Sequence, residues 1–153
     1  MLELRSFRRD DADAVWQLHD LALDDAGAHG GRGPWEDDLR DIPAAYLDGG
    51  GAFLVGVLDG TLVAIGGLIR HSPELAEIKR MRVHPGFQRR GFGRLVLERL
   101  EERARMLGCR TIRLDTTEEQ IAAQRLYHSA GYRQTGRRQT ARFRFIDYAK
   151  TLD

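Results

Sequence analysis

The chain has 153 residues, 42% hydrophobic and 31% charged, a length and balance that suit one domain with one sizeable core. No apolar run approaches the roughly 20 residues of a membrane span, and Met1-Leu2-Glu3-Leu4-Arg5 lacks an apolar signal core. The net charge of +1 conceals an asymmetry: residues 1–75 hold 6 Lys+Arg against 14 Asp+Glu, and residues 76–153 hold 18 against 9.

The basic half suits a polyanionic small molecule, a nucleic acid or a plain solvated surface, and the acidic half suits a cation. The lone Cys109 cannot close an internal disulfide, which makes the cytoplasm the expected compartment. It follows Gly108 into a strand and reads as a small buried hydrophobe.

In chain order, Leu2–Phe7 alternates and predicts a short strand. Asp10 and Asp11 can cap a helix whose apolar face includes Ala14, Val15, Leu18 and Leu21. Residues 27–34 are a glycine-rich loop, and Pro34-Trp35-Glu36-Asp37-Asp38 predicts a second helix start. After Gly49-Gly50-Gly51, the β-rich runs Ala52–Leu58 and Thr61–Arg70 are joined by Asp59-Gly60, a hairpin signal.

Leu75–His84 is the next strand and ends at Pro85-Gly86. A helix is expected from Gly91 to Leu107, with Phe92, Leu95, Val96, Leu100 and Leu107 on one stripe and Gly108 as the stop. Arg110–Asp115 reads as a strand, and Thr117-x-x-Gln120 as a capping box for a helix ending near Ala130-Gly131. Tyr132–Thr135 and Ala141–Tyr148 close the chain as strands. The order suits a single domain, residues 1–153, with a mixed sheet covered by helices. The hairpin supplies its antiparallel part and the later βα units its parallel part.

The chemistry concentrates at Gln88-Arg89-Arg90-Gly91-Phe92-Gly93. A strand, a polar turn with two glycines and a helix make an anion site, because the first helical amides lack internal partners and lie at the positive end of the dipole. Arg89, Arg90 and Arg94 add charge. The turn is not a dinucleotide fingerprint, since Val96 stands where the third glycine belongs, and no Gly-Lys-Ser/Thr makes it a P-loop.

These residues resemble the Gln/Arg-x-x-Gly-x-Gly/Ala signature of the GNAT superfamily of acetyltransferases. Glu77-Ile78-Lys79-Arg80-Met81-Arg82-Val83-His84-Pro85 is similar to the family's fourth strand. Gln120-Ile121-Ala122-Ala123-Gln124-Arg125-Leu126-Tyr127-His128-Ser129-Ala130-Gly131-Tyr132 is similar to its later Asn-x-x-Ala-x-x-Leu-Tyr-x-x-x-Gly-Phe/Tyr motif, with Gln120 departing from the asparagine. The match spans Glu77 to Tyr132, and before it only the order of elements fits.

The resemblance implies an α+β (α/β/α) fold, a mixed, mostly antiparallel sheet of about seven strands flanked by about four helices. It implies acetyl-CoA as the donor, with its pantetheine arm on the backbone of Met81, Arg82 and Val83, where a bulged fourth strand splays from the fifth. Its pyrophosphate would lie on Gln88, Arg89, Arg90, Gly91, Phe92 and Gly93, near Arg94.

Glu77 matches the strand position where several members keep a general base, and a surface glutamate paired to an arginine is the alternative. Tyr127 matches the tyrosine that approaches the cofactor sulfur as a general acid, and a core aromatic is the alternative. Trp35 and Tyr46 flank an acidic helix in the region that often lines the acceptor site. An acidic, aromatic rim suits a cationic amine.

His84 reads as a turn residue. The histidines lack metal-ligand spacing, so no metal site is expected. Arg133, Arg137, Arg138, Arg142 and Arg144 make the last strands basic, which fits a solvated edge, a phosphate contact or a substrate grip.

The expected activity is transfer of acetyl from acetyl-CoA to a primary amine, of a small molecule or a peptide, in a ternary complex. A non-catalytic CoA-binding or sensor module is the alternative within the same fold. No nucleic-acid motif and no membrane partner is expected, and a homodimer fits the family habit.

Overall fold

The computed structural model describes residues 1–153. Strands β1 (Glu3–Ser6), β2 (Ala52–Leu58), β3 (Thr61–Arg70), β4 (Leu75–Val83), β5 (Thr111–Thr117), β6 (Arg133–Gln139) and β7 (Arg144–Thr151) form one seven-stranded sheet. Its order is β1-β2-β3-β4-β5-β7-β6. Only β4 and β5 run parallel, and every other neighbouring pair is antiparallel. Helices α1 (Ala12–Ala26), α2 (Asp37–Arg40), α3 (Phe92–Met106) and α4 (Ile121–Ser129) flank the sheet. The mixed α+β architecture is the expected one, but the last strand inserts between β5 and β6.

The pleat gives the sheet two buried faces. On one, Val15 and Leu18 of α1, Leu39 of α2, Ile42 and Tyr46 pack on Phe53, Val55 and Ile65. On the other, Val96, Leu97, Leu100 and Ala104 of α3 and Tyr127 of α4 pack on Ala64, Leu68, Ala76, Ile78, Ile112 and Leu114.

Several local expectations need correction. Leu21 and Leu95 are 44% and 45% exposed, because each falls outside the stripe its helix buries. The buried stripe of α1 instead takes in His19 and Leu23, and that of α3 takes in Leu97. Asp11 does not cap α1 with its side chain; its carboxylate takes Arg5 through two hydrogen bonds and the Arg8 amide. The helix begun at Pro34 is a 3-10 turn followed by a four-residue α2, ended where Asp41 leaves helical space two residues before Pro43. Only half of the capping box at α4 forms: the Gln120 side chain accepts the Thr117 amide at 3.5 Å and the Thr116 hydroxyl, while Thr117 Oγ1 has no partner.

Two irregularities of β4 position the site. Its parallel pairing with β5 covers only Leu75–Glu77 against Thr111–Arg113, so the strands diverge after Glu77. Beyond that point Gly66 of β3 faces two residues of β4, Arg80 and Met81, which makes a bulge with Arg80 in the left-handed region at φ 61°. A side chain at Gly66 would meet Val96 Cγ1 at 2.7 Å and Met81 Sδ at 2.8 Å, so α3 closes onto the bulge only over glycine.

Candidate active site

A cavity of about 710 Å³ opens where β4 and β5 part. It is lined by Met81, Arg82 and Val83 of β4, by the turn into α3, by α4 from Ile121 to Ser129, and by Ala22, Asp25 and Ala26 of α1. The open edge of β4 is part of this wall. The His84 amide donates to the Val63 carbonyl at 2.8 Å, so the alternate residue, Val83, turns its N–H and C=O away from β3 and toward the gap. An extended amide chain laid there satisfies groups that the splay leaves open.

The turn before α3 fits an anion. Arg89 and Gly91 both have positive φ, 65° and 82°, which bends the backbone so that successive amides converge. Gly91 sits at the N-cap without a side-chain cap, leaving the first amides of α3 open at its positive end. The preceding 3-10 turn, Pro85–Phe87, is held by His84, whose Nδ1 accepts the Gly86 amide at 2.9 Å. His84 is thus a turn residue. Gln88, Arg89, Gly91, Phe92, Gly93 and Arg94 all line the cavity. Arg90 does not, and its guanidinium stacks over Phe87 at 5.1 Å.

Tyr127 lines the cavity while only 3% of its surface is exposed. Its ring packs against Tyr132 and Tyr148, each 5.9 Å away. Burial raises its phenol above the usual range, with Arg82 opposing, so it is protonated at neutral pH. Arg82 donates Nη1 to the Met81 carbonyl at 2.9 Å, and its Nε is shut off from solvent without a partner.

Besides Arg90, three of the expected site residues lie outside the cavity wall. Glu77 is the last β4 residue paired to β5 and so marks the apex of the splay. Its carboxylate meets His71 Nε2 at 2.7 Å and Arg113 at 3.7 Å. Trp35 is 49% exposed, with Arg142 of the β6–β7 connection 4.7 Å over its ring. Tyr46 is no rim residue: it is 1% exposed, packs edge-on against Phe53, and donates its hydroxyl to Asp38. Its neighbours place it in the core because Gly67 opposite leaves room for the ring.

The sequence reading missed α1 as a wall. Ala22, Asp25 and Ala26 are spaced at i, i+3 and i+4, the one signal that could have given it. It also missed a buried polar cluster behind that helix. His19 Nε2 meets Glu36 Oε2 at 2.7 Å, and His19, Asp20 and Glu36 offer ligand atoms within 4.8 Å of one another. Arg32 already binds Asp20 at 2.5 Å and Glu36 at 3.4 Å, and His29 binds Asp20 at 2.9 Å, so both carboxylates already have partners within the protein. No helix is long and apolar enough to cross a membrane.

Comparisons with known proteins agree with this geometry. The sequence model of the acetyltransferase (GNAT) family matches residues 12–132. The chain is 30% identical over 136 residues to acetyltransferase ECA0875 of Pectobacterium atrosepticum, covering 86% of this chain and 87% of that one. It is 34% identical over 101 residues to N-acetylaspartate synthetase of Danio rerio, covering 65% of this chain but 36% of that protein. Among solved structures, a GNAT-family acetyltransferase from Staphylococcus aureus Mu50 superposes with a TM-score of 0.90 at 21% identity, over 100% of both chains. The structure of yncA from Salmonella typhimurium with its cofactor acetyl-CoA gives 0.80 at 21% identity, over 99% of this chain and 94% of that one.

Proposed function

The chain belongs to the acetyltransferase (GNAT) family, and on that premise we propose that it transfers acetyl from acetyl-CoA directly to a primary amine, with Tyr127 as general acid and Glu77 as general base. The observation that carries this reading is one continuous cavity. It joins the open edge of β4, the amides of the turn at 88–93 and the buried Tyr127 phenol. The residues fit the cofactor: an edge for the pantetheine amides, a helix start for the pyrophosphate and a phenol beyond them.

When bound, acetyl-CoA supplies an activated acetyl group whose carbon forms a bond to the acceptor nitrogen as its bond to sulfur breaks. Met81 to Val83 orient the arm, and the turn at Gln88 to Gly93 fixes the phosphates. Tyr127, kept protonated by burial, can give its proton to the departing sulfur, whose thiol has an ordinary pKa of about 8.5.

A lysine-like amine has a pKa near 10.4, so only about one molecule in a few thousand is neutral at pH 7. Something must take its proton. Glu77 stands at the apex of the splay, outside the cavity wall, and would act through a water, with His71 beside it to receive or share the proton.

A thiol-release assay over a panel of amines tests the proposal. Acceptor-dependent release supports transfer, and binding of acetyl-CoA without release under any acceptor favours the sensor reading. The name of the Danio rerio relative places amino acids, aspartate included, in that panel. The single buried thiol, Cys109, fits work in the cytoplasm.

A further inference from the structure

Arg82 is a half-buried cation that the protein does not neutralise. Arg80, two residues earlier, takes Asp38 through Nε at 2.9 Å and Nη2 at 2.7 Å. Arg82 forms no such ion pair. Of the five N–H donors a guanidinium offers, one hydrogen bond within the protein is made, to the Met81 carbonyl, and Nε is buried with none. Burial brings its pKa down only to about 10, so it stays charged at neutral pH. An unpaired cation held in a cavity wall is costly unless something entering the cavity brings the opposite charge.

The position of Arg82 selects the class of anion. The phosphates of CoA have their own seat at the start of α3, with Arg89 and Arg94 around it. Arg82 lies on β4 opposite Ile65, a residue of the α1 and α2 face, whereas Tyr127 belongs to the α3 and α4 face. The polar and charged groups that act on it include Arg80, Tyr127, Tyr46, Asp38 and His19. The guanidinium therefore lines the same cavity as the phenol that would meet the sulfur, but comes from the other face of the sheet.

We infer that Arg82 binds the carboxylate of the acetyl acceptor, so that the acceptor is a free amino acid or a similar zwitterion. A planar two-oxygen group matches the guanidinium fork, including the unused Nε. The amine of the same molecule is then held close to the thioester. This inference rests on the acetyl-transfer reading above.

The test is steady-state thiol release with amino acids and their decarboxylated counterparts: alanine with ethylamine, lysine with 1,5-diaminopentane, phenylalanine with phenethylamine. It is run on the wild type, Arg82→Lys and Arg82→Met, with acetyl-CoA binding followed by calorimetry. The wild type is expected to favour an amino acid over its decarboxylated partner. Arg82→Met should raise the amino-acid KM by roughly 10- to 100-fold, the worth of a charged hydrogen-bond pair. Arg82→Lys should fall between them, and acetyl-CoA affinity should move little in either.

Equal use of amines without a carboxylate, or an Arg82→Met effect confined to acetyl-CoA affinity, would overturn the inference and leave acetyl transfer standing. In the second case the guanidinium serves an anionic group of the cofactor. Absence of acetyl-CoA binding in the wild type would overturn the transfer reading itself, and this inference with it.

Discussion

Arg80 and Asp38, 42 residues apart in sequence, meet in a two-point ion pair with both side chains 13% exposed. The pair ties the bulge of β4 to α2. Arg80 also donates to the Trp35 carbonyl at 2.6 Å, and Tyr46 donates to the same Asp38. The left-handed backbone of a non-glycine residue is thereby fixed from its side chain. The bulge it holds turns the next residues, Met81 to Val83, toward the cavity.

Asp38→Ala should therefore cost about 3 kcal/mol in denaturant unfolding, because it leaves a buried guanidinium and a buried phenol without their acceptor. It should also weaken acetyl-CoA binding, although Asp38 lies outside the cavity wall. A stability loss with unchanged binding would separate the ion pair from the aim of β4.

Gly91→Ala meets no steric neighbour, so its effect is confined to backbone strain at φ 82°. A left-handed alanine should cost about 1–2 kcal/mol of stability or let the turn relax. Relaxation would spare stability but lower acetyl-CoA affinity, since the amides would no longer converge. Calorimetry and thermal unfolding on the same variant distinguish the two outcomes. Neither loss would mean that the turn is not a built anion site.

Much of this region was legible in the sequence because its information is local. Asp59-Gly60 sets a hairpin by turn chemistry alone, and Gln88 to Gly93 announces an anion turn by glycine spacing at a helix start. The bulge and splay of β4 came only with the family resemblance. What stayed hidden depends on long-range partners. Nothing near Tyr46 says that Gly67 makes room for it in the core, and nothing near residue 144 says that β7 will enter between β5 and β6. The lack of a counter-charge at Arg82 can be read only once every carboxylate has been placed.

Tyr127→Phe should lower kcat by roughly 100-fold while acetyl-CoA affinity stays within about twofold, the pattern for losing a proton donor used late in the reaction. Because burial raises the phenol above its ordinary range, kcat should show no alkaline decline from Tyr127 below about pH 10. Glu77→Gln should lower kcat as well. Unchanged turnover in either variant would take that residue out of the chemistry.

His19 gives the fold an acid sensitivity. Burial first, then the charge of Arg82, pushes its imidazole below the usual 6.5, against the pull of Glu36. The sign follows from proton binding: just below pH 6.5 the unfolded chain takes up a proton that the folded chain refuses. Stability should therefore fall as pH drops from about 6.5 toward 4. Thermal unfolding from pH 7.5 to 4.5 should show this decline, and His19→Gln should flatten it. An equal slope in the variant would assign the sensitivity to other groups.

In the reading proposed above, the cavity between β4 and the start of α3 holds acetyl-CoA. Calorimetric titration of acetyl-CoA into the wild type and into Arg89→Glu tests it most directly. One saturable site is predicted, weakened roughly tenfold or more when the charge beside the turn is reversed. No binding to the wild type, or equal binding by both proteins, would contradict it.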